Sequence, residues 1–421
     1  MVSAESEAPP ARLSTVRSSS GHRVLVLGWW QDVAAVLDRY GCEVTFAMSG
    51  ADVAEAARQG FTGTVVPVGD PTKVDDVLAG LAREGLQPQG FDVICSEHEP
   101  CIVPAAILAT VADRPGMSVG SALALRDKFV QKAAVREAGV PVAGCRVVPD
   151  ADGLAEVPLP FVVKPTAGSC TQFTYPVHDE SDRAWVRQKL DTVPGPWLVE
   201  EFMTGGELHL DGVVRDGVVL FLSVSRYLDN VIDIRLGGLV GSVILDPVRY
   251  GDVYREAHEL MTGSLRAIGH RDGVFHAEAF EQAERLVFSE CAGRIGGGMV
   301  LDSIRAKFGV DLYDEWARSV LAQPSGLPAD TVHVDPRPFG WVHLLAPAGL
   351  ARSVPSTEDL CRRPDVVVGE AILKPGDRVP DSKSASNIRA GRVTMTGTDE
   401  ESCAANLRAL VDWFHDQVVV S

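Results

Sequence analysis

Residues 276–298, HAEAFEQAERLVFSECAGRIGGG, combine two strand patterns with two spaced carboxylates, an arginine and three glycines. Residues 274–280 alternate between apolar and polar side chains, and residues 286–290 are again strand-like. The polar run 281–285 separates the two patterns as a turn would. The stretch therefore predicts an antiparallel β-hairpin.

Two glutamates of this hairpin are expected to face each other. If the turn is centred on Ala283 or Glu284, opposed positions sum to an even number, so Glu278 and Glu290 share one face. Two carboxylates so close repel unless a cation lies between them. Mg²⁺ suits this position because proteins hold it with one or two carboxylates together with substrate phosphates. A surface hairpin with solvated glutamates is the alternative.

An arginine and a glycine run follow the second glutamate closely. Arg294 comes four residues after Glu290, and glycines 296–298 leave backbone N–H groups free to approach an anion. A surface hairpin does not explain why these residues arrive together, so the group indicates metal-assisted phosphoryl chemistry. His276 is predicted on the same strand face as Glu278, where it contacts substrate or takes a proton; a packed histidine is the alternative.

Composition narrows the class of protein. The 421 residues carry 39 basic and 57 acidic side chains, a net charge of −18 that argues against a nucleic-acid or anionic-membrane partner. Eight cysteines without a Cys-x-x-Cys pair indicate neither a disulfide framework nor a zinc knuckle, and they predict a reducing, cytoplasmic location. Residues 1–20 are polar and predict a disordered leader rather than a signal peptide. No apolar run reaches membrane-spanning length.

The first hundred residues alternate strand and helix patterns, which predicts an open parallel sheet with helices on both faces. The first strand ends at Gly28-Trp29-Trp30, without the Gly-x-Gly-x-x-Gly of a dinucleotide site, so a dehydrogenase is disfavoured. The acidic loop of Glu97, His98 and Glu99 follows the fourth strand. It is expected to line one wall of a substrate crevice, with a merely solvated loop as the alternative.

Two lysines lie where they could meet phosphates. A helix predicted from Ser121, as its N-cap, to Ala138 carries Lys128. The strand FVVKP delivers Lys164 into a loop with Gly168 and Ser169. Later strands form hairpins, so the middle of the chain is predicted to be α+β. Short strands and a helix over residues 400–417 complete it.

In order and spacing, these motifs resemble the ATP-grasp superfamily, in particular its carboxylate–amine (L-amino acid) ligases. The resemblance covers roughly residues 21–417 through RDKFVQKAAVREAGVPV, FVVKP, LVEEFMTGGE, FHAEAF, FSECAGRIGGG, GVDL and a carboxylase-like tail, AGRVTMTGTDEESCAANLRAL. It implies a mixed α/β and α+β ATP-grasp fold. The implied parts are an N-terminal open parallel-sheet domain (21–118), an ATP-grasp domain with an antiparallel sheet (119–332, its small lid at about 142–202) and a small C-terminal α+β region (333–421).

The resemblance also implies the site. The expected roles are ATP phosphate contacts from Lys128, Lys164 and Ser169, adenine contacts from Glu200, Glu201, Phe202 and Met203, ribose contacts from Glu207, Mg²⁺ ligation (Mn²⁺ as an alternative) by Glu278 and Glu290, and stabilisation of the reacting acyl group by Arg294 and Gly297. One departure is that the pattern Glu-x-Asn-x-Arg reads Glu290-Cys-Ala292-Gly-Arg294 here. A second metal ion would then be held through Glu290 or waters. The cover loop AGSCTQF also has less glycine than is usual in the family.

The function implied is an ATP-dependent carboxylate–amine ligase that forms an amide through an acyl phosphate and releases ADP and phosphate. Its partners would be a small carboxylate and an amine, and the resemblance is compatible with a homodimer. Arg226 and Arg305 are further candidates for gripping a substrate carboxylate. The alternatives are an ATP-grasp carboxylase or nucleotide-biosynthesis ligase, and an ATP-binding regulatory protein without turnover.

Overall fold

The computed structural model describes residues 21–168, 171–193, 195–283, 285–328, 334–379 and 389–421. The predicted leader, residues 1–20, and the predicted phosphate contact Ser169 lie outside these ranges. In the described part of the chain, no helix combines the length and the apolar character needed to cross a bilayer.

The N-terminal unit is a four-stranded parallel sheet in the order β3-β2-β1-β4. Its elements are β1 (Arg23–Leu27), α1 (Gln31–Arg39), β2 (Glu43–Met48), α2 (Gly50–Arg58), β3 (Thr64–Pro67), α3 (Val74–Arg83), β4 (Val93–Cys95) and α4 (Ile102–Val111). Along β1, Val24 and Val26 pack into one apolar cluster with α1, whereas Leu25 and Leu27 pack into another with α3 and α4. Helices therefore cover both faces, as predicted.

The single helix predicted from Ser121 to Ala138 is wrong, because the chain forms two helices, α5 (Val119–Arg126) and α6 (Lys128–Glu137). Ser118 caps the first, and its hydroxyl accepts the Ser121 N–H. Asp127 breaks the run with φ −99° and ψ 113°, and its carboxylate accepts two backbone N–H groups of the next turn at 2.9 Å. Aspartate stabilises a helix start in this way. Lys128 consequently begins α6.

A small antiparallel sheet, in the order β5-β8-β6-β7, lies within residues 142–202, for which a lid was predicted. It consists of β5 (Cys145–Val148), β6 (Phe161–Pro165), β7 (Tyr175–Val177), α7 (Glu180–Leu190) and β8 (Trp197–Glu201). Phe161, Trp197 and Leu190 are buried in its own apolar cluster. The sheet therefore has a core of its own.

The largest sheet has eight antiparallel strands in the order β13-β12-β9-β10-β11-β14-β18-β16. Its strands are β9 (Glu207–Arg215), β10 (Val218–Tyr227), β11 (Gly241–Ile244), β12 (Gly273–Gln282), β13 (Arg285–Ala292), β14 (Phe339–Leu344), β16 (Val366–Ala371) and β18 (Gly391–Thr396). A three-stranded sheet combines β15 (Gly349–Ser353), β17 (Arg378–Val379) and β19 (Val419–Val420). The helices of this part are α8 (Gly251–Ile268), α9 (Val300–Phe308), α10 (Leu312–Val320), α11 (Thr357–Cys361) and α12 (Glu400–Gln417). The central sheet thus continues across the predicted boundary at residues 332–333.

The central sheet has one apolar and one polar face near the hairpin. Leu208, Leu210, Ala277 and Ala279 are buried in a cluster with residues of α8. Because side chains alternate along a strand, the residues between them point to the opposite face. That face carries glutamate, histidine and aspartate side chains, and it forms the floor of the site.

The predicted pairing of Glu278 with Glu290 is confirmed, but the turn differs from the expected one. Gln282 pairs with Arg285, and this register, continued along the strands, would place Glu278 opposite Ser289. A β-bulge between Glu278 and Ala279 shifts the register by one residue and brings Glu290 opposite Glu278. An extra residue in one strand re-aims the side chains beyond it. The bulge therefore turns Glu290 toward the polar face.

Candidate active site

A cavity of about 700 Å³ lies where the N-terminal sheet, the small sheet and the polar face of the central sheet meet. Most residues predicted to act together line it. These are Lys128, Lys164, Glu200, Glu201, Phe202, Met203, Glu207, His276, Glu278, Glu290, Arg294 and Gly297, together with the loop residues Glu97, His98 and Glu99. The structure thus brings residues far apart in sequence into one site.

Both predicted phosphate lysines point at the hairpin carboxylate. The Lys128 Nζ lies 3.2 Å from Glu290 and donates to the Gly168 carbonyl at 3.0 Å. The Lys164 Nζ lies 3.6 Å from Glu290 and 2.6 Å from Glu200. The two ammonium groups therefore share one carboxylate partner, with their donors at the same part of the cavity. Phosphate oxygens would accept hydrogen bonds from them.

Sequence reasoning missed a third lysine. Lys132 lies four residues after Lys128 on α6, and its Nζ is 2.9 Å from Glu200. Its side chain is only 1% exposed. Burial alone would raise the pKa of Glu200, but Lys132 and Lys164 lower that pKa to about 2. The helical spacing from Lys128 was the available signal, since residues four apart share a helix face.

Three carboxylates meet on the polar face, of which Glu207 is buried and Glu278 and Glu290 are half-buried. Burial raises the pKa of Glu278, and the facing charge of Glu290 raises it further. Burial, followed by the charge of Glu278, raises the pKa of Glu207 well above its usual value. Burial also opposes ionisation of Glu290, but Lys128 and Lys164 lower its pKa to about 2.

The donor set on this face suits a divalent cation. Among the described residues, no lysine or arginine forms an ion pair with Glu278 or Glu207. The phenol of Tyr227 donates to Glu278 at 3.3 Å. Glu278 faces the Glu290 carboxylate across the hairpin. Carboxylate oxygens are the ligands with which proteins hold Mg²⁺, so the residues present fit the ion.

The acidic loop of Glu97, His98 and Glu99 in the N-terminal unit contacts the segment that follows the hairpin. Glu99 forms ion pairs with Arg294 at 2.8 Å and with Arg126 at 3.2 Å. The Ile295 N–H donates to Glu97 at 2.8 Å, and burial raises the pKa of Glu97 to about 7. The loop predicted to line a crevice wall therefore does so, and it also fixes the orientation of Arg294.

His276 belongs to a buried polar network. Its Nδ1 lies 2.8 Å from Asp211, and the other oxygen of Asp211 lies 2.5 Å from the Nδ1 of His209. The Nε2 of His209 lies 2.7 Å from the Ser242 hydroxyl. Sequence reasoning placed His276 on the correct face but missed its partners. Their signal was the alternation of Glu207, His209 and Asp211 in an otherwise apolar strand.

The glycines fit closely against this network. A Cβ on Gly296 would lie 2.7 Å from the Asp211 carboxylate and 2.8 Å from His276. Gly298 has φ +68°, and a Cβ there would lie 2.2 Å from the Trp341 ring. A Cβ on Gly297 would meet no atom within 4 Å. Two of the glycines are therefore required by packing, and the middle one borders open space.

The predicted adenine hinge lies at the end of β8. The Glu201 N–H donates to the Gly144 carbonyl, and the Phe202 ring packs against His178 with centroids 4.7 Å apart. The ribose candidate Glu207 accepts the Val231 N–H at 2.7 Å. These residues line the cavity, and their nucleotide contacts stay a prediction.

The two arginine candidates differ. Arg305 lines the cavity and pairs with Asp311 at 2.8 Å. Arg226 is not part of the cavity lining described by the structure, and it forms a bidentate pair with Glu281 at 2.8 and 2.9 Å. Both arginines are thus held by a carboxylate, and they differ in their distance from the cavity. Their contacts with a substrate stay a prediction.

The chain has the fold of ATP-grasp ligases, as the sequence predicted. No protein-family model matches the chain. Over 354 residues it is 26% identical to the L-arginine-specific L-amino acid ligase of Bacillus subtilis, covering 80% of this chain and 84% of that protein.

Solved structures share the fold over nearly the whole chain. L-amino acid ligase from Bacillus licheniformis has a TM-score of 0.78 at 17% identity, covering 96% of this chain and all of that one. Carboxyaminoimidazole ribonucleotide synthase from Aspergillus clavatus, solved with ATP, has a TM-score of 0.70 at 18% identity, covering 94% and 99%. These comparisons confirm the predicted fold and the predicted ATP-dependent carboxylate–amine ligase.

Proposed function

We propose that the protein joins the carboxylate of one L-amino acid, or of a similar small acid, to an amine, with an acyl phosphate as intermediate. One observation carries this proposal. The facing pair Glu278 and Glu290 shares a cavity with Lys128, Lys164 and Arg294, so the residues proposed for metal, nucleotide and acyl group adjoin. The named activity of the Bacillus subtilis relative supports amino acids as substrates.

ATP would lie with its phosphates between Lys128 and Lys164 and its adenine at the hinge of Glu200, Glu201, Phe202 and Met203. Glu278 and Glu290 would hold Mg²⁺, which neutralises phosphate charge when bound. Lys132 keeps Glu200 ionised, and Glu200 in turn holds Lys164 in place. The lysine therefore meets phosphate oxygens from a fixed position, as electrostatic stabilisation requires.

The first chemical step is attack by a substrate carboxylate oxygen on the γ-phosphorus of ATP. The new O–P bond forms as the bond to ADP breaks, and Lys164 and Arg294 stabilise the charge spread over the phosphate oxygens. The amine then attacks the acyl carbon, phosphate leaves with the C–O electron pair, and the amine loses a proton. Arg294 and backbone N–H groups near Gly297 would stabilise the oxyanion, while His276 contacts the amine.

The small sheet would act as the lid that excludes water from the acyl phosphate. Its strand β6 supplies Lys164, and its loop after β6 is tied to Lys128 through the Gly168 carbonyl. Closure and phosphate contact would thus be linked. Cytoplasmic location and a homodimer remain predictions.

The test is to incubate the protein with ATP, Mg²⁺ and pooled acids and amines, L-arginine among them, and to measure ADP, AMP, phosphate and new masses. We expect ADP and phosphate, dependent on an acid–amine pair, and a product mass equal to their sum less water. Release of AMP and pyrophosphate would contradict the acyl phosphate, and turnover with bicarbonate alone would favour the carboxylase.

A pair of variants on one strand sharpens the test. Glu278→Gln removes a proposed metal ligand and should lower kcat by at least about 100-fold. Glu281 lies three residues away and pairs with Arg226 outside the cavity. Its replacement, Glu281→Gln, should leave turnover within a factor of about two. Equal activity of the two variants would contradict the assigned metal site.

A further inference from the structure

The network of Ser242, His209, Asp211 and His276 joins residues from three strands of the central sheet, β11, β9 and β12. The side chain of Asp211 is 0% exposed, that of His209 is 1% exposed and that of His276 is 11% exposed. Of these four residues, His276 is the one that lines the cavity. The network therefore leads from the interior of the sheet to the site.

The chemistry of the carboxylate fixes the direction of the hydrogen bonds. Burial would raise the pKa of Asp211, but His276 and His209 lower it well below its usual range. An ionised carboxylate only accepts hydrogen bonds, so the Nδ1 atoms of both imidazoles donate to it. The Nε2 of His209 then faces the Ser242 hydroxyl, and Nε2 is the ring nitrogen of His276 left for the cavity.

The short separations within the network speak against a shared metal ion. Two ligand atoms bound to a tetrahedral ion at about 2.0–2.1 Å are about 3.3 Å apart. The contacts of Asp211 with the two histidines are 2.5 and 2.8 Å, which are hydrogen-bond distances. These three residues therefore form a hydrogen-bonded chain rather than a metal centre.

The turn of glycines 296–298 packs against the hydrogen bond between Asp211 and His276. A Cβ on Gly296 would meet the Asp211 oxygen and the His276 Nδ1 at less than 3 Å, so the turn packs directly on this pair. The His209 ring also lies near, with its centroid 5.6 Å from that of His276. The His276 ring is thus held between the turn and the sheet.

We propose that Asp211 is a positioning residue which, with His209 and Ser242, fixes the protonated Nδ1 and the ring plane of His276 so that its Nε2 faces the amine substrate. The amine contact rests on the proposed function, whereas the tautomer does not. A carboxylate that accepts one ring N–H of a histidine fixes which nitrogen is protonated and how the ring is oriented. Asp211 touches neither substrate nor nucleotide.

The first test is the tautomer, read by NMR of protein labelled with ¹⁵N at its histidines. Wild type should show His276 and His209 protonated at Nδ1. In Asp211→Asn the amide offers one acceptor and one donor in place of two acceptors, so one of the two rings must change tautomer. His270→Gln removes another buried histidine, which contacts the Val274 carbonyl at 3.0 Å, and should leave both signals unchanged.

The second test is kinetic and uses Asp211→Ala, which removes both acceptors. The rate of amide formation should fall about 100-fold or more, while KM for ATP stays near that of wild type. Acyl phosphate trapped with hydroxylamine should form at a rate close to that of wild type. A purely structural role would instead lower both rates together.

Three results would overturn the proposal: no tautomer change in Asp211→Asn, equal losses in the trapping and amide-forming reactions, or one zinc per chain that the asparagine variant lacks. If Asp211→Ala does not fold, the isosteric Asn variant still decides through its NMR signals. Absence of any ligase turnover in wild type would contradict the proposed function, yet leave the tautomer measurement able to support or refute the positioning role.

Discussion

Replacing Glu200 by glutamine should destabilise the protein by about 3 kcal/mol at pH 7. The carboxylate is shared by Lys132 at 2.9 Å and Lys164 at 2.6 Å, and all three side chains are at least nine-tenths buried. The two lysines lower the pKa of Glu200 from 4.5 to about 2. At about 1.36 kcal/mol for each pH unit, this difference corresponds to ~3.4 kcal/mol. Removing one partner of a buried ion pair costs about 3–5 kcal/mol, which agrees.

The pH dependence of stability gives the sign of the effect. A carboxyl whose pKa is lower in the folded than in the unfolded protein stabilises the fold above the unfolded value and loses that effect as pH falls. The advantage of wild type over Glu200→Gln should be complete above pH 4.5 and shrink toward pH 2. Urea unfolding followed by fluorescence of Trp197, buried three residues away on β8, measures it.

A neighbouring variant serves as the stability control. Glu201 is exposed on the same strand, so Glu201→Gln should change the free energy of unfolding by less than about 0.5 kcal/mol. If Glu200→Gln and this control have the same free energy of unfolding at pH 7, the ion pairs of Glu200 with the two lysines do not stabilise the fold. A difference that persists unchanged down to pH 2 would also refute the reasoning.

Two further predictions concern the N-terminal loop and the glycine turn. Burial raises the pKa of Glu97 to about 7, so the free energy of unfolding of wild type should fall as pH rises from 4.5 through 7. Glu97→Gln should flatten this dependence, as measured by urea unfolding at pH 5 and pH 8. A steep dependence in the variant would contradict the assignment. Gly298→Ala must meet the Trp341 ring at positive φ and should cost about 1–3 kcal/mol, whereas Gly297→Ala enters open space and should cost less than about 1 kcal/mol in the same thermal unfolding assay. Equal losses of unfolding free energy in the two alanine variants would show that the Trp341 ring moves aside without cost.

Local patterns were enough to predict the elements and one half of the site. The alternation around Glu278 and Glu290 predicted the hairpin and the shared face, because opposed residues in a hairpin are set by short-range geometry. The strand-to-loop position of Lys164 was likewise readable. The bulge beside Glu278 could not be predicted, because it arises from how the strand fits its neighbours and has no local signature in the sequence.

The remaining site residues depend on contacts between distant segments. His276 meets Asp211 across 65 positions, and Arg294 meets Glu99 across 195. No local pattern encodes such pairs, although alternation marked the polar side of β9. The helix break at Asp127 was missed because the apolar spacing continues through it, while the capping preference of aspartate decided the structure.

The strand order of the central sheet has a consequence for synthesis of the protein. β14 and β18 come from the final ninety residues, yet β14 pairs with β11 and brings Trp341 and His343 to the cavity, where Arg392 of β18 joins them. While the ribosome is still translating this part, the hairpin and all three lysines already exist, but one wall of the cavity does not. The growing chain is thus expected to be inactive until residue 396 has emerged, so that unfinished copies consume no ATP.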